Sequence, residues 1–133
     1  MYLLDTNIIT YLQRGNENVI SKIATTSIDD LSVSTIVLAE CFYGAYHHPT
    51  RSEELINYYT MYFQNLETFN FDTKSALIYA RIRNDLTSSG KLIADMDLMI
   101  ASICIANDLV LVTNNTKDFV RIKQLMIEDW TKA

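Results

Sequence analysis

The sequence predicts an α/β fold, a mostly parallel sheet covered by helices on both faces. Three observations predict it. Short apolar runs alternate with longer helical stretches along all 133 residues. No internal repeat, low-complexity tract or Pro/Gly/Ser linker interrupts them, so residues 1–133 read as one domain. Finally, 49% hydrophobic residues with only 3 Gly and 1 Pro supply a core and argue against a disordered or collagen-like chain.

Tyr2–Leu4 is a short apolar strand ending at Asp5, and Thr6 or Asn7 then caps a helix through about Arg14, stopped by Gly15-Asn16. Residues 18–24 form a second short helix. Leu31–Ser34 alternates as a strand, and Thr35 caps a helix reaching Tyr46 that His47-His48-Pro49 ends. Thr50 opens the next helix, with Glu53 three residues on as a capping box, and it runs to about Asn65. Residues 67–71 alternate as a strand. Asp72 begins a long helix with Ala76, Leu77, Ala80 and Ile82 at roughly helical spacing, closed by Ser88-Ser89-Gly90. Residues 93–106 read as a buried helix, 109–112 as a strand, 116–122 as a short helical turn and 125–127 as an edge strand.

The charge balance, 11 basic against 16 acidic residues, weighs against binding a polyanion through the whole surface. Its distribution softens that objection. Residues 1–66 carry 3 basic and 7 acidic side chains, whereas residues 67–133 carry 8 and 9. Lys117, Arg121 and Lys123 stand against Asp118 alone in their segment, a locally basic edge. Cys41 and Cys104 are too few and too distant for a disulfide framework or zinc cluster, and read as small core residues in a reducing compartment. The start has no basic region or cleavage site, and no apolar run approaches the roughly 20 residues that span a bilayer. The expectation is a soluble, cytoplasmic protein with no membrane contact.

In open parallel sheets, functional groups gather beyond the carboxyl ends of the strands. Asp5 follows the first strand there, and Thr113, Asn114 and Asn115 follow the strand at 109–112. Four acidic positions, one of them held by either Asp95 or Asp97, stand where a solvated acid is not expected. Asp5 interrupts an apolar opening, and serves either as a plain helix cap or as a functional acid. Glu40 lies in a helix that is apolar nearly all round, and a carboxylate there needs a partner because burying it alone is costly. Gly44, one turn on, allows another element or a substrate to approach closely. Asp95 and Asp97 both fall in the first turn of the 93–106 helix, where the dipole favours negative charge, and periodicity does not choose between them. Asp118 is either the fourth acid or an ordinary acid beside a basic turn.

Converging carboxylates need a cation, since two of them ~4 Å apart repel by about 4 kcal/mol at an effective dielectric of 20. Oxygen-only ligands select Mg²⁺ or Mn²⁺ over zinc, and such ions assist phosphodiester hydrolysis.

Leu4-Asp5-Thr6-Asn7, Ala39-Glu40 followed by Gly44, the run 93–101 containing Asp95 and Asp97, and the run 112–119 from Val112 to Phe119 together resemble a PIN-domain ribonuclease. More closely, they resemble the VapC toxins of bacterial VapBC toxin–antitoxin pairs, and the likeness covers essentially the whole chain. The resemblance implies a PIN-like three-layer α/β/α sandwich with a four- or five-stranded sheet, and an endonuclease using one or two Mg²⁺ or Mn²⁺ ions. It implies that Asp5, Glu40 and Asp97 are catalytic acids and metal ligands, Asp97 being preferred to Asp95 because the family's acid directly precedes a Leu-x-Ile-Ala run. Many PIN domains have Asp where this chain has Asn115; the nearest carboxylate is Asp118, taken as the fourth acid. Asn7, Thr113 and Asn115 resemble the polar residues that orient the acids. The implied reaction cuts structured RNA in loops, frequently transfer RNA and sometimes ribosomal RNA, leaving a 5′-phosphate and a 3′-hydroxyl and so inhibiting translation. Lys117, Arg121, Lys123 and Arg14 are candidate RNA contacts. Implied partners are a cognate VapB-type antitoxin and a second copy of the chain, with DNA reached only through the antitoxin.

Tyr58, Tyr59, Tyr62 and Phe63 form an aromatic stripe read first as core and second as a groove or dimer contact. His47 and His48 lack any nucleophile motif. Two rival readings compete. One is a receiver-like, Mg²⁺-binding phospho-acceptor domain, though a single Asp5 rather than an acidic pair ends the first strand and Glu40 would be idle. The other is a non-catalytic corepressor module acting with an antitoxin.

Overall fold

A computed structural model describes residues 1–133. Five strands, β1 (Tyr2–Leu4), β2 (Leu31–Ser34), β3 (Glu67–Phe69), β4 (Val110–Val112) and β5 (Ile127–Glu128), form one sheet in the order β3-β2-β1-β4-β5. Every pairing is parallel, with Leu3 beside Ser32 on one side and Leu111 on the other. Adjacent residues Leu3 and Leu4, and likewise Leu111 and Val112, are fully buried. Since successive strand side chains point to opposite faces, both faces of the sheet are covered, which makes an α/β/α sandwich. The edge strand β3 leaves Glu67 and Thr68 exposed.

Seven helices connect and cover the strands: α1 (Thr6–Gln13), α2 (Glu17–Ala24), α3 (Thr35–His47), α4 (Ser52–Phe63), α5 (Thr73–Ser88), α6 (Asp95–Ala106) and α7 (Thr116–Phe119). None is long and apolar enough to cross a membrane. α6 is buried nearly all round, from Leu98 to Ala106, and packs along α5, while α3 packs along α4 and α1. Tyr59 and Phe63 of the aromatic stripe stack at 5.7 Å within the core, and both cysteines are buried there.

Several boundaries differ from the sequence expectation, each for a local reason. Asp5 itself caps α1, accepting from the Thr6 N–H at 2.9 Å, so neither Thr6 nor Asn7 is the cap. Ser34, not Thr35, caps α3 through the Val37 N–H. The capping box at Thr50 does not form. The His48 imidazole Nδ1 instead accepts from the Thr50 and Arg51 N–H groups, and α4 starts at Ser52. On α5 the inward face is Ser75, Ile82 and Leu86, with Ile78 and Tyr79 half-buried; Ala76, Leu77 and Ala80 face solvent. Asp72 caps that helix through the Ser75 N–H, and the packing of Ile82 and Leu86 into the core sets the rotation that sends Leu77 outward.

Candidate active site

The strand order changes direction at β1: the chain steps to β2 and β3 on one side, then returns to β4 on the other. A crevice opens at such a switch point, beyond the carboxyl ends of β1 and β4. Asp5 ends β1, Thr113 follows β4, and the Thr113 hydroxyl donates to Asp5 Oδ2 at 2.7 Å. Asn7 donates more loosely to the same carboxylate oxygen at 3.4 Å, and its own Oδ1 accepts from the Asn114 N–H. Asp5 is only 3% exposed.

Two further acids come from α3 and α6. Thr6 donates to Glu40 Oε1 at 2.6 Å, so one residue of α1 ties Glu40 to the turn that carries Asp5. The Asn115 amide donates to Asp97 Oδ2 at 3.3 Å and Asp118 Oδ2 at 3.1 Å, and its N–H bonds to the Thr113 hydroxyl. A single hydrogen-bonded chain thus runs from Glu40 through Thr6, Asp5, Thr113 and Asn115 to Asp97 and Asp118. Asp5, Asn7, Glu40, Asp97, Asn115 and Arg14 are among the residues around one open cavity of about 400 Å³. Asp118 stands outside its lining, joined through Asn115.

The electrostatics follow from burial. It pushes the Asp5 carboxyl up to about 6 against the opposing hydrogen bonds of Thr113 and Thr6, and the Asp97 and Glu40 charges add to the rise. Asp97 is raised by burial, then by the Glu40 and Asp118 carboxylates, with Asn115 opposing. The ion pairs of the molecule are Arg51–Glu54, Arg83–Asp95 and Arg121–Asp118, so no basic side chain is ion-paired with Asp5, Glu40 or Asp97, although Arg14 shares their cavity. No three Asp, Glu, His or Cys side chains close into a ready-made ligand cage, so the acids meet across a cavity rather than at a point. A set of oxygen donors with unbalanced negative charge fits a hard divalent cation.

Asp95 is placed elsewhere, held at 2.9 Å by both Arg83 and the Tyr79 hydroxyl on the exposed side of α6. Of the four candidate RNA-contacting cations, only Arg14 reaches the acidic cavity. Lys117 is exposed, while Arg121 and Lys123 line a separate hollow beside α5, where Arg121 donates to the Lys91 and Leu92 carbonyls. Thr6, which the sequence offers as a helix cap and within the Leu4–Asn7 motif, also lines the cavity, as do Thr10 and Tyr11, which the sequence does not single out. The signal was available: Thr6, Thr10 and Arg14 recur at every fourth position and share one face of α1.

A family model described as the PIN domain matches residues 2–125. The chain belongs to the PIN-domain family. Among PIN proteins it is of the VapC type found in VapBC toxin–antitoxin systems. It is 34% identical to Ribonuclease VapC2 of Rickettsia felis, covering 99% of each chain. Identity to the tRNA(fMet)-specific endonuclease VapC of Salmonella typhimurium is 30%, over 97% of each. The solved structure of VapBC2 from Rickettsia felis bound to a DNA fragment from its promoter superposes with a TM-score of 0.89 at 33% identity, over 97% of this chain and 98% of that one. A receiver-like domain is thereby set aside.

Proposed function

We propose that residues 1–133 act as a cytoplasmic, divalent-metal-dependent endoribonuclease toxin that cuts structured RNA, transfer RNA as the substrate class, and so halts translation. The observation that carries this reading is the set of three carboxylates, Asp5, Glu40 and Asp97, delivered by separate elements to one cavity and none of them ion-paired. Asp5, Asp97 and Glu40 would hold Mg²⁺ or Mn²⁺, with Asp118 completing the acidic set from its edge. The bound ion supplies an acidified water and neutralises charge growing on the phosphoryl group.

The chain's own groups do the rest. Thr113 and the Thr6 N–H hold Asp5 in one rotamer with its charge stabilised. Thr6 aims Glu40 into the cavity, where it orients the attacking water, and Asn115 keeps Asp97 and Asp118 from swinging apart. Arg14 takes a phosphate oxygen of the substrate, with Lys117 and Lys123 as outer contacts. RNA loops suit an open cavity because their unstacked bases splay out and can stack on aromatic or Arg faces. The relative named for tRNA(fMet) supports the substrate class, and the neighbouring antitoxin complex on DNA supports control by a VapB-type partner that carries the DNA contact. A homodimer is part of the same reading.

The test is hydrolysis of total RNA and purified tRNA with Mg²⁺ or Mn²⁺ by the wild type, Asp5→Asn and Asp97→Asn. Each variant should lose at least about a hundredfold in rate while keeping its circular dichroism, since charge is removed at nearly constant shape. Undiminished cutting by both variants would end the nuclease reading.

A further inference from the structure

Gly44 lies inside α3 with no left-handed backbone to require glycine, and a Cβ added there would meet nothing within 4 Å. Glycine weakens a helix interior relative to alanine, so packing and conformation both leave this residue unexplained. The space above it is a second cavity, of about 140 Å³, between α1, α3 and the start of α4. That is several times the share of one water molecule, about 30 Å³.

This cavity is lined by donors where the first is lined by acids. Thr10, Arg14, Gly44, His48, Arg51 and Tyr59 are among its lining residues, and no carboxylate is. Because His48 Nδ1 accepts two backbone N–H groups, its ring proton sits on Nε2, which is left as a donor. Arg51 gives Nε and Nη2 to Glu54 and keeps Nη1 without a hydrogen-bond partner. The two cavities share Thr10 and Arg14, so they form one groove along α1. Its lining changes along α1 from three carboxylates at one end, through Arg14, to the His48 Nε2–H donor and the Glu54-paired Arg51 at the other. An RNA strand carries a phosphate at every nucleotide, and converging Arg and His N–H donors are a usual seat for one, here including the Arg51 Nη1 group that the Glu54 ion pair leaves free.

We propose that the cavity over Gly44 is a backbone-phosphate subsite, in which Arg14, Arg51 and His48 hold an RNA phosphate flanking the scissile one and Gly44 keeps the floor open. It deepens the endoribonuclease reading and rests on it for the direction of the strand. Gly44 and Arg51 line this cavity and not the acidic one, so they report on it alone.

The experiment measures binding of a fluorescent RNA stem-loop at several KCl concentrations, in an Asp97→Asn background that leaves the RNA uncut. Arg51→Ala and Gly44→Leu should each weaken binding about tenfold, and Arg51→Ala should lower the salt slope by about one. Gly44→Leu should not lower the melting temperature, because leucine is the better helix former. If the leucine variant does not fold, Gly44→Ala should show a raised melting temperature with a smaller loss of affinity. Parental affinity and slope in these variants overturn the subsite. So does a loss of affinity confined to an acidic antitoxin peptide, which would make the cavity a protein-binding one. Cleavage by the otherwise wild-type protein is scored separately: an inactive protein whose RNA binding still depends on Arg51 and Gly44 loses the nuclease reading and keeps the phosphate seat.

Discussion

Asp5 has two jobs that pull against each other. As the cap of α1 and the acceptor for Thr113 it helps the fold, yet its burial makes the charge expensive. Its carboxyl rises from 3.8 unfolded to about 6 folded, so the native state binds the proton more tightly. The metal-free protein is therefore relatively more stable below pH 4 as far as this group is concerned. That contribution is lost as pH climbs through 6. Above pH 6, Asp5→Asn should be more stable than the wild type by about 1–3 kcal/mol, and the difference should shrink toward pH 4. Urea titrations at pH 4, 6 and 8 would measure it; a variant less stable than the wild type at pH 8 would show that the lost hydrogen bonds outweigh the relieved charge.

Among the elements, α5 is the one whose sequence misleads. Ala76, Leu77 and Ala80 look like an apolar stripe but face solvent, and the core side is marked by Ile82 and Leu86 beside a buried Ser75. Ser75 gains its place because both its N–H and hydroxyl bond to the Asp72 cap at 2.9 and 2.7 Å, which satisfies a polar side chain within the protein. Ile82→Ala should cost about 2–4 kcal/mol, whereas Leu77→Ala should stay within about 0.5 kcal/mol. Thermal melts of the two variants would decide the orientation, and equal losses would contradict it. The start of α4 teaches the same lesson at one residue's resolution: an imidazole four residues before the helix's first residue replaces the expected hydroxyl cap.

At the scale of the whole molecule, the site exists because the sheet changes direction at β1. Three chain segments more than thirty residues apart deliver acids to one crevice, and on the proposed function a divalent cation would relieve their mutual repulsion. Mg²⁺ or Mn²⁺ should therefore raise the melting temperature at pH 8. Ion at a hundred times its dissociation constant would add about 2.7 kcal/mol. The shift should diminish toward pH 5, where Asp5 takes up its proton, and disappear in Asp5→Asn. Differential scanning calorimetry with and without metal checks this, and a metal-induced shift that survives in Asp5→Asn would place the ion elsewhere.

Local chemistry, readable along the chain, determined the alternation of strands and helices, the two-sided burial of the parallel sheet and the suspicion attached to Asp5 and Glu40. These follow from short-range rules: side-chain periodicity, capping atoms, and the cost of an acid on an apolar face. Tertiary structure decided what spacing left open. The rotation of α6 sends Asp97 to the cavity and Asp95 to Arg83, although both sit in one helical turn. It also separated Arg14 from Lys117, Arg121 and Lys123, and drew Thr6 into contact with Glu40, 34 residues away. Long-range packing sets which face of a helix meets which neighbour, and a linear pattern carries no distance between segments that only folding brings together.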